Sequence, residues 1–206
     1  MIIQPGLAKI EGFVKIHDPK SGEVLVDKKN AIHYENISIA MAQTLSNRDV
    51  GYIYQMAFGN GGTNVDPTGI ITYLPTNTAG QNADLYNPTF SKIVDDNYDL
   101  NPDPARNKME IRHVAGTKYT DILVTCLLDY GEPAGQASFD NSTQLESSYV
   151  FDELGLLANY GVDNNGNVIT RLLTHVIFHP VQKSLNRQIQ IDYTVRIQAL
   201  TNLVTI

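Results

Sequence analysis

The residues that could take part in chemistry lie first of all in a glycine-rich corner. An apolar stretch ends at Phe58, and Gly59, Gly61 and Gly62 follow it with one asparagine between them. A phosphate-binding loop would need a lysine and a serine or threonine that open a helix after such glycines. The segment Asn64-Val65-Asp66-Pro67 follows instead, and it leads into about 40 residues of polar sequence. The corner is therefore predicted to be structural rather than catalytic.

The metal-ligating residue types do not have the spacing of a metal site. His175 and His179 are four residues apart, which on a strand separates them by about 13 Å, too far to bind one ion. The turn 163–167 is similar to the start of a calcium loop, but its twelfth position is Thr174 rather than an acid. An Asn-Gly hairpin turn explains that segment, and the acidic stretch 95–103 is expected to be a solvated loop. No metal and no cofactor are predicted.

The candidate nucleophiles and acids are also poorly placed for catalysis. Cys126 is the only cysteine and lies in an apolar, strand-like run, where a thiol behaves as a small hydrophobe. No serine lies in a Gly-x-Ser-x-Gly segment. Asp152 and Glu153 are adjacent, so on a strand they point to opposite faces and cannot form an acid/base pair there. No catalytic residue is predicted, and a non-enzymatic role is expected.

Composition excludes several classes of partner. The chain has 206 residues and a net charge of −7, and its lysines and arginines are scattered singly. Phosphate backbones require clustered cations, so nucleic acid is not an expected direct partner. No run of about 18 apolar residues is present, which predicts a soluble protein without a membrane span. Residues 1–6 resemble a turn rather than a secretion signal.

The elements that would position these residues are mostly strands. Residues of the last predicted strand alternate between an apolar face that begins at Ile189 and a polar face that begins at Gln188. After Asn36, mainly apolar residues recur instead at three- and four-residue steps. This period predicts one helix near 36–46 with Asn36 as its N-cap. The predicted strands are 8–17, 23–27, 52–58, 109–115, 119–129, 149–158, 168–178 and 188–200.

About eight strands without intervening helices predict a mainly β protein. The expected fold is an antiparallel two-sheet sandwich, or a jelly-roll-like arrangement, with one face of each strand buried and the other wet. The length suits one domain, 1–206, that carries a long excursion.

That excursion is the loop arm, residues 60–107, which contains most of the prolines and many asparagines and aspartates. Loops of this length are usually functional or disordered. Apolar residues are nevertheless interspersed through the arm, so we expect it to be ordered against a surface. Tyr73, Tyr86 and Phe90 are the predicted anchors of an interaction with a neighbouring protein. The alternative, that they hold the arm on its own domain, remains open from the sequence.

Three segments together carry a resemblance to a known group of proteins. They are the strand that ends in Ala57-Phe58-Gly59-Asn60-Gly61-Gly62-Thr63, then Phe151-Asp152-Glu153-Leu154-Gly155-Leu156, then the segment 172–184, whose apolar strand is closed by Pro180. In this order, after an opening hairpin and a helix, the chain resembles the small virion structural proteins of tailed bacteriophages. The likeness covers most of the chain outside residues 64–107.

The resemblance implies a structural role in a phage particle. A neck or collar component is the expected position, with capsid decoration or a baseplate or tail accessory role as alternatives. The implied partners are other virion proteins and copies of the chain itself in a homo-oligomer, in a virion assembled in the host cytoplasm. A carbohydrate- or protein-binding β-sandwich module is the alternative of another class, although the chain lacks the tryptophan typical of sugar platforms. An enzyme is the third.

Overall fold

The computed structural model describes residues 8–133 and 148–199. Their one helix is α1 (Tyr34–Leu45), and no helix in these ranges is long and apolar enough to cross a membrane. The strands are β1 (Ala8–His17), β2 (Val24–Ile32), β3 (Ile53–Gly59), β4 (Thr63–Val65), β5 (Ile71–Tyr73), β6 (Pro88–Ile93), β7 (Lys108–His113), β8 (Tyr119–Leu128), β9 (Ser148–Val162), β10 (Val168–Leu172), β11 (Thr174–Ser184) and β12 (Ile189–Ala199).

Ten of these strands form one antiparallel sheet in the order β6-β3-β9-β11-β2-β1-β12-β8-β7, with β10 paired to β9. The β4–β5 hairpin forms a second, small sheet. The junction of β11 with β2 consists of two residue pairs, which leaves the sheet free to bend there. Lys92 in β6 donates a hydrogen bond of 2.7 Å to the carbonyl of Leu127 in β8, so the sheet curls back on itself. The predicted mainly β, sandwich-like fold is confirmed.

The core lies between the two halves of the curled sheet. Ile189, Ile191, Tyr193 and Val195 of β12 are buried, and the residues between them are only partly so. This alternation agrees with the predicted buried and wet faces. Complete burial of one such side chain contributes about 1.5–3 kcal/mol, and the same cluster contains aromatic residues of β3, β9 and β11: Phe58, Tyr149, Phe151 and Phe178.

Several strand boundaries differ from the predicted ones. The second strand runs on to Ile32 instead of ending near residue 27. The predicted strand 168–178 is interrupted at Leu173, whose N–H donates to the carbonyl of Leu156 and whose carbonyl accepts from His33. The chain changes partners there, which hydrophobic alternation does not reveal. The predicted turn at residues 1–6 and the strand end at residue 200 lie outside the described residues.

The helix begins earlier than expected because its cap is a histidine. His33, not Asn36, is the N-cap, and its Nδ1 accepts a hydrogen bond of 3.2 Å from the backbone N–H of Asn36. Asn36 lies buried in the first turn, where its side-chain amide donates to the carbonyl of Leu172 at 2.9 Å. A neutral imidazole nitrogen can accept as a cap oxygen does, so the prediction of Asn36 as N-cap is wrong.

The arm contains more regular structure than a loop. Residues 60–107 include the β4–β5 hairpin and β6, which pairs with β3 at one end of the main sheet. Pro88 is the first residue of β6, where a missing N–H is tolerated. The polar composition of the arm conceals these short strands because each contributes few apolar residues.

Candidate functional site

The glycine-rich corner is held by two adjacent acids of β9. The N–H groups of Gly62 and Thr63 donate to the Asp152 carboxylate at 2.9 and 3.0 Å, and the Thr63 hydroxyl also donates to it. The N–H of Gly61 donates to Glu153 Oε1 at 3.1 Å. Although neighbouring strand residues point to opposite faces, both carboxylates reach the corner because the chain turns around the strand beside them.

Glu153 is the centre of this arrangement. Its side chain has no exposed surface, and its carboxylate also accepts from the N–H groups of Tyr86 and Asn87 at 3.0 and 2.9 Å and from His175 Nε2 at 3.0 Å. Burial by itself would raise the pKa of Glu153, but the donors, His175 first among them, outweigh it and hold the pKa below its ordinary value. Three separate segments therefore meet at one ionised carboxylate.

His175 extends the same arrangement into the arm. Its ring is fully buried, and its Nδ1 accepts a hydrogen bond of 2.8 Å from the backbone N–H of Asn77. Because Nδ1 accepts, the proton that binds Glu153 must lie on Nε2, which is the neutral form of the ring. We call Asp152, Glu153, His175 and the backbone N–H groups that they bind the carboxylate network.

The glycines let the backbone approach these carboxylates. A Cβ on Gly59 would lie 2.5 Å from Glu153 Oε1 and 2.7 Å from the carbonyl of Asn87. Gly155, two residues beyond Glu153, is equally close-packed, since its Cβ would lie 2.3 Å from the carbonyl of Thr174. Side chains at these positions would force the corner and the strand apart.

The predicted anchors all contact the chain's own residues. Tyr86 donates from its hydroxyl to the carbonyl of Pro75 at 2.8 Å and remains 42% exposed. Tyr73 is 50% exposed, and the Nζ atom of Lys28 lies 5.4 Å from its ring centroid. Phe90 is partly buried, with its ring centroid 5.9 Å from that of Phe58 in the core. The two tyrosines thus keep exposed surface, and contact with another protein stays a prediction for all three.

The hairpin that contains Tyr73 carries two further exposed apolar residues near its turn. Val65 and Ile70 are more than half exposed, and a tight turn at Asp66 separates them. The Asp66 carboxylate accepts hydrogen bonds from the backbone of Thr68 and Ile70 at 2.8 and 2.9 Å, which makes the turn rigid. We call Val65, Ile70 and Tyr73 the hairpin surface.

A second apolar feature is a groove of about 500 Å³ between α1 and the sheet edge that contains β7 and β8. Two of its lining residues stand far out of the molecule: Leu45 is 84% exposed and Ile111 is 79% exposed. The apolar residues that line the groove also include Met41 of α1, Met109 of β7, Ile122 of β8 and Ile197 of β12. We call this feature the apolar groove.

The remaining chemical candidates have structural surroundings. Cys126 is completely buried, as predicted, and burial raises the pKa of its thiol to about 12. His175 is buried, whereas His179 is exposed. Within the described ranges, no group of three His, Cys, Asp or Glu side chains could hold a metal ion. Asp163 accepts from the N–H groups of Asn165 and Asn167, both at 2.8 Å, in the predicted hairpin turn between β9 and β10.

Sequence reasoning missed two sets of buried charges. The sequence pattern did not predict the carboxylate network, although Asp152 and Glu153 lie in one of the three segments that carry the resemblance. Lys183 is fully buried near Glu132 and Asp129, and burial lowers its pKa to about 8. Lys92 is also buried and forms an ion pair with Glu132. No local signal marks a lysine that will be buried, because its partners come from distant parts of the chain.

A scan against protein-family models, a search of curated proteins and a search of solved structures find no match to the chain.

Proposed function

We propose that the chain is a non-enzymatic structural subunit of a tailed-bacteriophage virion, at the neck or collar. The observation that carries the proposal is the convergence of the segments on which the resemblance rests. The glycine corner, the Phe-x-Glu-x-Gly-Leu segment and the apolar strand with His175 are far apart in sequence, yet they meet in the carboxylate network. These segments therefore act together as one unit that shapes a surface.

The chemistry of that unit suits a scaffold. The oxygens of Asp152 and Glu153 accept hydrogen bonds from backbone N–H groups and from His175, and both side chains are buried. Carboxylates used in this way hold loops in one conformation. A rigid loop loses little conformational freedom when it docks, which favours repeated assembly with neighbouring subunits.

The hairpin surface and the exposed tyrosines are the contact surface that this scaffold would hold in place. Tyr73 and Tyr86 combine large apolar area with few rotatable bonds, as interface residues commonly do. Tyr86 is held in place by Glu153, which accepts a hydrogen bond from its backbone N–H, and by the hydrogen bond of its hydroxyl to the carbonyl of Pro75. We infer that this side of the molecule contacts other virion proteins.

Electron microscopy of purified particles labelled with an antibody to this chain tests the proposal. Label at the head–tail junction is the expected result. Label over the head would indicate capsid decoration instead of a neck position, and label at the distal tail would indicate a baseplate or tail accessory role. Particles without label would overturn the virion assignment.

A β-sandwich binding module is the second candidate, and the apolar groove favours it. A groove of about 500 Å³ with apolar walls is within the size range of sites that bind small molecules or peptide side chains. Binding of an apolar fluorescent dye, lost on Met41→Glu or Ile122→Glu substitution in a folded variant, would support a ligand-binding role. Retained dye binding would exclude the groove as that site.

A further inference from the structure

The outer edge of β7 is an unpaired strand edge. β7 lies at the end of the strand order and pairs only with β8, in the register Glu110 to Leu123 and Arg112 to Asp121. Among residues 8–133 and 148–199, no strand pairs with its other side. An open strand edge presents a row of backbone donors and acceptors to any strand that approaches.

Two hydrogen bonds show which backbone groups face outward. The N–H of Met109 donates to the side chain of Asp96 at 3.3 Å and therefore does not point towards β8. The carbonyl of Asn107 likewise accepts from Asn101 rather than from β8. Because backbone direction alternates along a strand, the N–H and carbonyl groups of Ile111 and His113 also face outward.

The side chains of β7 divide into an apolar and a charged face. Met109 and Ile111 face the apolar groove. Lys108, Glu110 and Arg112 share the opposite face, where Glu110 lies 2.8 Å from Lys108 Nζ and 3.1 Å from Arg112 Nη2. Positive, negative and positive charges thus alternate along the strand.

We propose that β7 pairs antiparallel with β7 of a second copy of this chain, about a two-fold axis that passes beside Ile111. In that register Ile111 faces Ile111 of the second copy, and the two exchange a pair of backbone hydrogen bonds. Glu110 of each copy faces Arg112 of the other. One two-fold axis therefore creates two equivalent cross-strand ion pairs and one apolar pair.

Neighbouring registers are less favourable. A two-fold axis at Met109 would place Ile111 opposite Asn107, whose side-chain oxygen and carbonyl already accept from Leu127 and Asn101. An axis at His113 would place Arg112 opposite Val114, and the complementary charge would be lost. In the Ile111 register the outward groups of Ile111 pair with each other and the charges and apolar side chains match, and only the Met109 N–H, which donates to Asp96, keeps another partner.

Charges on an edge strand commonly prevent association with unrelated strands. On β7 they are arranged so that a strand with the same sequence, run antiparallel, is complementary. An unrelated flat strand would leave Glu110 and Arg112 without new partners. The charge pattern thus selects a second copy over other occupants, and it would join the sheets of two copies into one continuous sheet.

This pairing names one partner in the homo-oligomer of the proposed function, and it is tested on the purified chain so that its outcome is independent of particle labelling. The self-association constant is measured by sedimentation velocity over a concentration series. Arg112→Glu or Glu110→Arg places like charges opposite each other twice per dimer, so each is expected to weaken association about tenfold or more. The double variant Glu110→Arg with Arg112→Glu restores opposite charges and is expected to recover association.

Arg48→Glu is the matched control, because it makes the same charge change at an exposed position outside the strands and should leave association unchanged. Circular dichroism and thermal unfolding verify that each variant is folded. A wild-type chain that remains monomeric throughout the series would overturn the proposal. Single reversals without effect, or a double variant that stays weak, would also overturn it.

Cysteine crosslinking tests the register directly. The only native thiol, Cys126, is buried, and opposed residues in a hydrogen-bonded antiparallel pair have Cα atoms about 5.5 Å apart, within disulfide reach. Ile111→Cys is expected to give a disulfide-linked dimer on mild oxidation. Leu45→Cys, at a similarly exposed position, should give much less. Equal yields, or none at residue 111, would contradict the register.

Discussion

The carboxylate network and the β7 edge differ in whether their backbone polar groups have hydrogen-bond partners within the chain. At the network, backbone N–H groups of residues 61–63, 77, 86 and 87 donate hydrogen bonds to buried side chains of β9 and β11. At β7, outward groups of Ile111 and His113 have no strand beside them in the described part of the chain. The first region satisfies its polar groups internally, whereas the second leaves them for an external strand. The molecule therefore combines a fixed surface with an open strand edge.

The largest expected effect is on the network side. Glu153→Gln removes the charge and turns an amide N–H₂ towards donors that now lack an acceptor, the N–H of Tyr86 and the Nε2–H of His175. Each buried donor left without its acceptor costs about 1–3 kcal/mol of unfolding free energy. Urea denaturation measures it. Glu110→Gln, at the exposed β7 edge, is the control and should change the midpoint of urea denaturation little. Equal effects of the two substitutions would contradict the difference between the buried network and the exposed edge.

A steric change should have the next largest effect. Gly155→Ala places a methyl group 2.3 Å from the carbonyl of Thr174, and because this neighbour is backbone it cannot move aside cheaply. We expect a loss of about 1–3 kcal/mol. Gly116→Asn is the comparison, since its surroundings are open and its φ of +85° suits asparagine. Thermal unfolding of both variants measures the difference, and a stable Gly155→Ala variant would contradict the close packing.

The carboxylate network should also make the unfolding free energy depend on pH in the acid range. The native pKa of Glu153 lies below its ordinary value of 4.5, so its ionised form stabilises the folded chain above that pH. This contribution falls as the pH is lowered from about 4.5 through the depressed native pKa. Unfolding free energy measured between pH 6 and pH 3 should therefore drop less steeply for Glu153→Gln than for the native chain. Parallel curves would show that Glu153 is not a main source of the acid sensitivity.

A smaller effect is expected where the network side meets solvent. Tyr86→Phe removes the hydrogen bond to the carbonyl of Pro75, and it should cost about 1 kcal/mol or less because water can replace the lost partner. The variant keeps the ring that contacts His175. Chemical denaturation checks the size of the loss, and a cost as large as that of Glu153→Gln would mean that the arm depends on Tyr86 rather than on Glu153.

The smallest effect on the folded monomer is expected at β7. Ile111→Thr keeps a β-branched residue at an exposed position, so its unfolding free energy should change by no more than about 0.5 kcal/mol. Its self-association should weaken, because the apolar pair at the two-fold axis is lost. Thermal unfolding at low protein concentration and sedimentation velocity separate the two quantities. A destabilised monomer would show that Ile111 is part of the core rather than of an edge.

Local pattern was informative wherever neighbours in sequence decide the structure. Alternation predicted β12 and the burial of Ile189 through Val195, and the apolar run around Cys126 predicted a buried thiol. Pattern failed at Asn36, because the N-cap is supplied by His33 and Asn36 is satisfied by the distant carbonyl of Leu172. It also missed β6, whose place in the sheet depends on β3 rather than on its own composition.

The amino-acid sequence by itself determined the strand-rich character, the single helix of the described residues and the net negative charge, because these depend on local period and composition. Only the tertiary structure decided that Asp152, Glu153 and His175 meet at one glycine corner and that β7 lies at an open edge. Those facts depend on which distant segments become neighbours. Hydrogen bonds and strand pairing act over a few ångströms in space, without regard to separation along the chain.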